Sequence, residues 1–190
     1  MDRSWLNQIN REPRINPGKA LQNLRRIEQG IATSDLHPKV KSLRTHSLKR
    51  EREIRDACLF CYGMSCRLGQ PVWVYPKEDA DFDFVAAWEV GGERHFAPTQ
   101  LKELVSSKLN SKATLQEIID GLAKYQVSDQ LTVAIHLNRV GRFEPEKLAV
   151  PKLGLAALWL FGAVTEDQSR WRLYGNILQE AEFSEFEYPH

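Results

Sequence analysis

Two short stretches of this chain carry polar side chains where packing alone gives no reason for them. Asp81-Phe82-Asp83-Phe84-Val85 puts two carboxylates at the mouth of an apolar strand, although Asp is poor in strands. Gln100-Leu101-Lys102 closes a second such run. Residues two apart in a strand share a face, so Gln100 and Lys102 point the same way, and Asp81 and Asp83 share a face opposite Phe82 and Phe84. Gly91-Gly92 between the two runs reads as a tight hairpin turn. With that turn the numbers of paired residues add to about 183, which sets Asp83 beside Gln100. A carboxylate, a side-chain carbonyl and an ammonium group then converge at one end of a sheet. Hydrolysis of a phosphodiester uses such a set. A hard divalent cation takes oxygen ligands, polarises the phosphoryl oxygen and lowers the pKa of a bound water. A lysine beside it orients that water and stabilises developing charge.

The elements that must position these groups follow from hydrophobic spacing. Leu21, Leu24, Ile27 and Ile31 predict a helix over 18–31, after a segment broken by Pro13 and Pro17. A longer helix is expected from Ser47, its cap, to Arg67, with Ile54, Ala57, Cys58, Cys61, Met64 and Leu68 buried and Gly69 ending it. Strands are expected over 71–75, 82–90 and 95–101, with Pro98 hinting at an edge or a bulge. Thr114 and Glu117 form a capping box at the head of a helix over 114–125. The run 131–137 is nearly all apolar and so belongs to a central strand. A short apolar helix is expected over 153–163 and a last strand over 171–174. The mixture implies an α/β or α+β sandwich. Three units are expected: a basic arm with a short helix over 1–46, the core over 47–178 and an acidic tail over 179–190.

From residue 47 the order helix, three strands, helix, strand resembles the PD-(D/E)XK nuclease superfamily, over about half the chain. The resemblance implies a restriction-endonuclease-like core with a mixed central sheet flanked by helices. It also implies a Mg²⁺-dependent endonuclease, with Mn²⁺ as the alternative metal. Asp83, before Phe84-Val85, matches the family's strand aspartate best, with Asp81 the alternative. Gln100-x-Lys102 occupies the (D/E)xK slot, with an amide in place of the acid. Glu53, on a helical line with Ala57, Phe60 and Met64, matches the first-helix glutamate, with Glu51 second. Asp83, Gln100, Lys102 and Glu53 are thus the implied catalytic set, and Asp83, Gln100 and Glu53 the metal ligands. Gln116 and Tyr125 are counterparts of polar residues on the helix after the third strand. The motif's proline is absent, since Phe82 precedes Asp83.

The bulk of the chain constrains this reading without deciding it. Its 190 residues suffice for a core without disulfides. The hydrophobic fraction is 42%, the charged fraction 27% and the net charge only +1. Charge is uneven, however: in residues 1–46 Lys and Arg outnumber Asp and Glu nine to four. Such a segment can neutralise phosphates. Arg11, Arg14, Lys49 and Arg52 are the candidate nucleic-acid contacts, with DNA the expected partner and a homodimer left open. No apolar run approaches a membrane span, and the polar start MDRSWLNQINREPR lacks a signal peptide's apolar stretch, so a cytoplasmic location is expected. Cys58, Cys61 and Cys66 are expected as reduced core residues. His136-x-Asn138-Arg139 ends the central strand with polar groups that either line the same sheet end or simply exit into solvent. Two other functions compete with the nuclease: a nuclease-like fold that has lost catalysis and binds nucleic acid or protein, and a small-molecule regulatory domain.

Overall fold

The computed structural model describes Ile9 and residues 13–35, 49–125, 128–139 and 143–190. Helix α1 spans Pro17–Ala32 and α2 spans Lys49–Leu68. The strands are β1 (Trp73–Tyr75), β2 (Phe84–Val90), β3 (Glu93–Leu104), β4 (Ser128–Leu137), β5 (Leu155–Ala163), β6 (Arg170–Gly175) and β7 (Glu182–Glu187). A short helix α3, Leu115–Asp120, lies between β3 and β4. All seven strands form one sheet in chain order. Strand β4 runs parallel to β3 and β5, and the other neighbours are antiparallel. The protein is therefore α/β with a mixed central sheet.

Local chemistry explains most element ends. Pro17, expected to break a helix, instead opens α1, because the first helical position needs no N–H partner. The Asn16 side chain caps that end by accepting from the Lys19 N–H at 3.0 Å. The capping box of Thr114 and Glu117 is formed. Gly91 and Gly92 both take positive φ, 60° and 84°, the backbone a two-residue hairpin demands. Phe84 consequently pairs with Thr99, which is the expected register. Pro98 lies in β3, inside the sheet. The ladder with β4 starts only at Thr99, so β3 is paired on one side alone where Pro98 lacks its donor.

The sheet is buried on both faces. On one, α1 and α2 cover Val74, Phe84, Ala86, Ala134, Phe161 and Trp171. On the other, α3 and the stretch before β5 cover Val85, Val133, Ile135, Leu158 and Leu160. This double burial explains the main correction. Residues 153–163, expected as a helix, contain strand β5, because Leu158 and Leu160 enter one core while Trp159 and Phe161 enter the other. A strand buried on both faces loses its alternation and reads as a plain apolar run.

The acidic stretch read as a tail also differs: 182–187 pairs with β6 as β7. Phe186 lies so close to α2 that a Cβ on Gly63 would sit 2.6 Å from its ring. The Tyr188 hydroxyl donates to the Leu21 carbonyl at 3.0 Å. Part of the presumed N-terminal arm is docked too. Ile9 is fully buried, and Ile15 exchanges two backbone hydrogen bonds with Val74, at 2.8 and 3.1 Å. Cys58 and Cys61 are buried as expected, with burial pushing the Cys58 thiol up to about 12, but Cys66 is exposed. Among the described residues no helix is long and apolar enough to cross a membrane.

Candidate functional site

The start of β2 and the ends of β3 and β4 lie at one edge of the sheet, a consequence of the hairpin and of the parallel β3–β4 pair. Asp83 immediately precedes β2. Its N–H donates to the Thr99 carbonyl at 2.9 Å, extending the ladder by one residue. Its carboxylate oxygen Oδ2 accepts from the Leu101 N–H at 2.6 Å and from the Gln100 side-chain amide. Burial pushes the Asp83 carboxyl above its ordinary value and Glu78 adds to that, while the Leu101 N–H, the Lys102 charge and the Gln100 amide pull the other way. Asp83 and Gln100 therefore meet, and Lys102 lies near enough for its charge to act on the carboxylate.

Asp81 does not join them; it is exposed in the turn that pairs Asp79 with Phe82. That turn also breaks the expected alternation. Phe82 enters the α3-side core and Phe84 the α2-side core, so the two rings lie on opposite faces.

From the helix side, Glu53 lines a narrow cleft with Arg50, Ile54, Glu78, Asp83 and Leu101. The space open to solvent there is about 20 Å³, room for about one water. Glu53 is paired with Lys49 at 3.3 Å, one turn back. Glu51 is exposed. Leu101 packs toward α2, so Gln100 and Lys102 project from the other face of β3. The cleft thus holds Glu53 and Asp83, with Gln100 reaching the carboxylate from across the strand. Among the described residues no three of His, Cys, Asp and Glu stand close enough to hold a metal ion.

The remaining expected residues fall elsewhere. Gln116 clamps the chain at Ala149 through both its amide atoms, at 2.7 and 3.1 Å. Tyr125 packs in the α3-side core. Arg14 is exposed and lies over the Trp73 ring at 4.3 Å. Lys49 is exposed, and Arg52 contributes positive charge at Asp56. Arg11 and Ser47 lie outside the described residues.

One constellation was not anticipated as a whole. His136, at the end of β4, is 5% exposed and faces Asp56 of α2, which is 6% exposed. Nδ1 of the ring is 3.2 Å from Asp56 Oδ2. Arg55 reaches Asp56 at 3.5 Å, Glu28 of α1 at 2.7 Å and the Gln168 side chain at 2.9 Å. Burial pushes the Asp56 carboxyl up, yet His136, Arg55 and Arg52 together hold it below its ordinary value. The His136 ring stacks on Phe161 at 5.0 Å. Glu103, beside His136 in the β3–β4 ladder, accepts from the Asn138 amide at 2.8 Å. His136 and Asn138 therefore stand at the same sheet end as Asp83. A carboxylate next to the buried pair Ala57-Cys58 was the available signal for Asp56. No protein-family model, no curated protein and no solved structure matches this chain.

Proposed function

We propose that the Asp83 end of the sheet is a metal-dependent nuclease site that hydrolyses phosphodiester bonds in DNA. The observation that carries this reading is the register: Phe84 pairs with Thr99, so Asp83 meets Gln100, with Lys102 near enough for its charge to act on the carboxylate. The element order of the PD-(D/E)XK superfamily over α2 to β4 supports it.

The residues present fit a hard divalent cation in type. Asp83 and Glu53 offer carboxylate oxygens to one water-sized cleft, and the Gln100 amide adds a carbonyl oxygen once it turns its acceptor rather than its donor toward the site. A bound cation would polarise the phosphoryl oxygen and acidify a water. Lys102, whose charge acts on the Asp83 carboxylate, would stabilise charge on the phosphoryl oxygens. Asp83 fixes the strand end through the Leu101 N–H.

The test is cleavage of plasmid or oligonucleotide DNA with Mg²⁺ or Mn²⁺. Asp83→Asn and Lys102→Ala should each lose at least about 100-fold in rate while unfolding as cooperatively as the parent. Cleavage near the parental rate by either variant would refute the assignment. A second reading, a nuclease-like fold without catalysis, is favoured by the Gln100 amide donating to Asp83. DNA binding with no cleavage in either metal, and no change on Lys102→Ala, would select it.

A further inference from the structure

Beyond β4, a groove of about 600 Å³ opens at the carboxyl ends of the parallel strands β4 and β5, the edge at which open α/β sheets bind ligands. Its lining includes His136, Asn138, Arg139, Val164, Glu166 and Gln168. Two features of that lining are chemical rather than merely spatial. The first is the orientation of His136: Nδ1 lies 3.2 Å from Oδ2 of buried Asp56 and one ring face lies on Phe161, which leaves Nε2 as the nitrogen on the far side of the ring. A carboxylate that fixes one nitrogen determines what the other can do.

The second is charge. Arg139 donates to the carbonyls of Val105, Ala113 and Asn110, at 3.2, 2.8 and 2.5 Å. Those bonds use three of the five guanidinium N–H groups, and carbonyls leave the formal charge uncancelled. Arg172 is neutralised by Glu185. Around the imidazole, Asp56 and Arg55 come from α2 with Arg52 behind them, Glu28 from α1 and Glu103 from β3. Asp56 and Glu28 balance Arg55 and Arg52. Among the described residues the further acids nearby are Glu103, engaged with Asn138, Glu166, exposed at the rim, and Asp167, which accepts from Ser169.

We propose that this groove binds a phosphate group, with His136 as its hydrogen-bonding contact, Arg139 as its fixed charge and Asp56 as the positioning residue. The phosphate is that of a nucleic-acid strand passing the Asp83 cleft on the same sheet end. That source, though not the phosphate chemistry, rests on the nuclease reading.

The experiment is calorimetric titration of the full chain without divalent metal. The probes are inorganic phosphate, adenosine monophosphate, adenosine and a short single-stranded oligonucleotide. The phosphate-bearing probes should bind and adenosine should not. His136→Gln should weaken them at least about tenfold, the loss of one hydrogen bond to a charged group. Val164→Trp obstructs the groove from a 39% exposed position. It should also weaken binding, and it serves if His136→Gln does not fold. Oligonucleotide bound more tightly than the monophosphate supports the strand as the source; the reverse order supports the phosphate site and overturns that source. Absence of phosphate binding, or binding indifferent to both variants, overturns the proposal. Metal-dependent cleavage could persist in that case, so the two readings fail separately.

Discussion

Asp83 and Asp56 are two carboxylates at the same end of one sheet, and their surroundings push them in opposite directions. Asp83 is partly exposed, accepts from two N–H groups, and sits above its ordinary pKa because burial outweighs those bonds and the Lys102 charge. Asp56 is far more deeply buried and yet lies below its ordinary pKa, because His136 and two arginines surround it. The comparison separates two uses of a buried acid. Asp56 belongs to a buried ion-pair cluster that ties α2 to β4 and α1, although its Oδ1 accepts no hydrogen bond. Asp83 has an incomplete set of partners, and a charge left incompletely balanced in a cleft is what ligand chemistry needs.

The largest effect expected from this difference is on stability. Truncating Asp56 leaves Arg55 and Arg52 without their shared carboxylate, and truncating His136 empties a buried site between Phe161 and Trp171, so Asp56→Ala and His136→Ala should each cost about 3–5 kcal/mol in urea unfolding. Replacing both together by Leu and Phe should cost less than either single change. Asp83→Ala takes the acceptor from the Leu101 N–H and the Gln100 amide and should cost about 1–3 kcal/mol. Equal losses at Asp56 and Asp83 would erase the distinction between a structural and a functional carboxylate.

The same contrast explains what was legible in the sequence. Asp83, Gln100 and Lys102 could be brought together on paper because a two-residue glycine turn fixes register, and register fixes which side chains face each other. Asp56 and His136 are 80 positions apart and meet only through the docking of a helix on a parallel strand, which no local pattern encodes. The helices α1 and α2 and strands β1–β4 were readable from period and punctuation. Strand β5 was not, because burial on both faces removes its alternation. Strand β7 was hidden differently: Glu182, Glu185 and Glu187 face outward on the sheet edge, where charge discourages further pairing. Acidity there signalled an edge strand rather than a solvated tail.

Gln100→Glu sharpens the comparison by pushing Asp83 further from Asp56. The amide donates to Asp83 Oδ2; a carboxylate in its place sets like charges against each other and drives one of them further toward the protonated form. Without metal the variant should lose about 1–3 kcal/mol of stability at pH 7. Mg²⁺ or Mn²⁺ should restore it and bind more tightly than to the parent, because a second charge replaces a dipole. Thermal unfolding with and without metal reads both effects, and weaker metal affinity in the variant would remove Gln100 from the ligand set.

Acid titration probes the two carboxylates together. Asp56 is depressed in the folded state, so its stabilising contribution is complete above the unfolded value near 3.8 and is lost as pH falls through its lower folded value. Asp83 is raised, so it opposes folding at neutral pH, and that penalty fades as pH falls through its folded value toward 3.8. Asp83→Asn should therefore gain on the parent at pH 7 and converge with it near pH 4, whereas the deficit of Asp56→Asn should shrink only below that. Chemical unfolding at a series of pH values distinguishes these shapes.

The smallest effect concerns Lys49, which is 62% exposed and paired with Glu53 at 3.3 Å. An exposed pair of this spacing is worth only about 0.3–0.5 kcal/mol, so Lys49→Ala should leave stability almost unchanged. Its consequence for the cleft depends on what Lys49 touches when DNA is bound. If it meets a phosphate, the variant should weaken DNA binding uniformly across sequences and lower the salt slope by about one, since one fewer counterion is released. If it serves only to hold Glu53, the slope stays put and the freed carboxylate binds Mn²⁺ more tightly. A salt series for DNA and a metal titration on the same variant tell these apart. The first outcome would extend the Asp83 site along α2 into a nucleic-acid surface. The second would confine the helix to supplying a ligand.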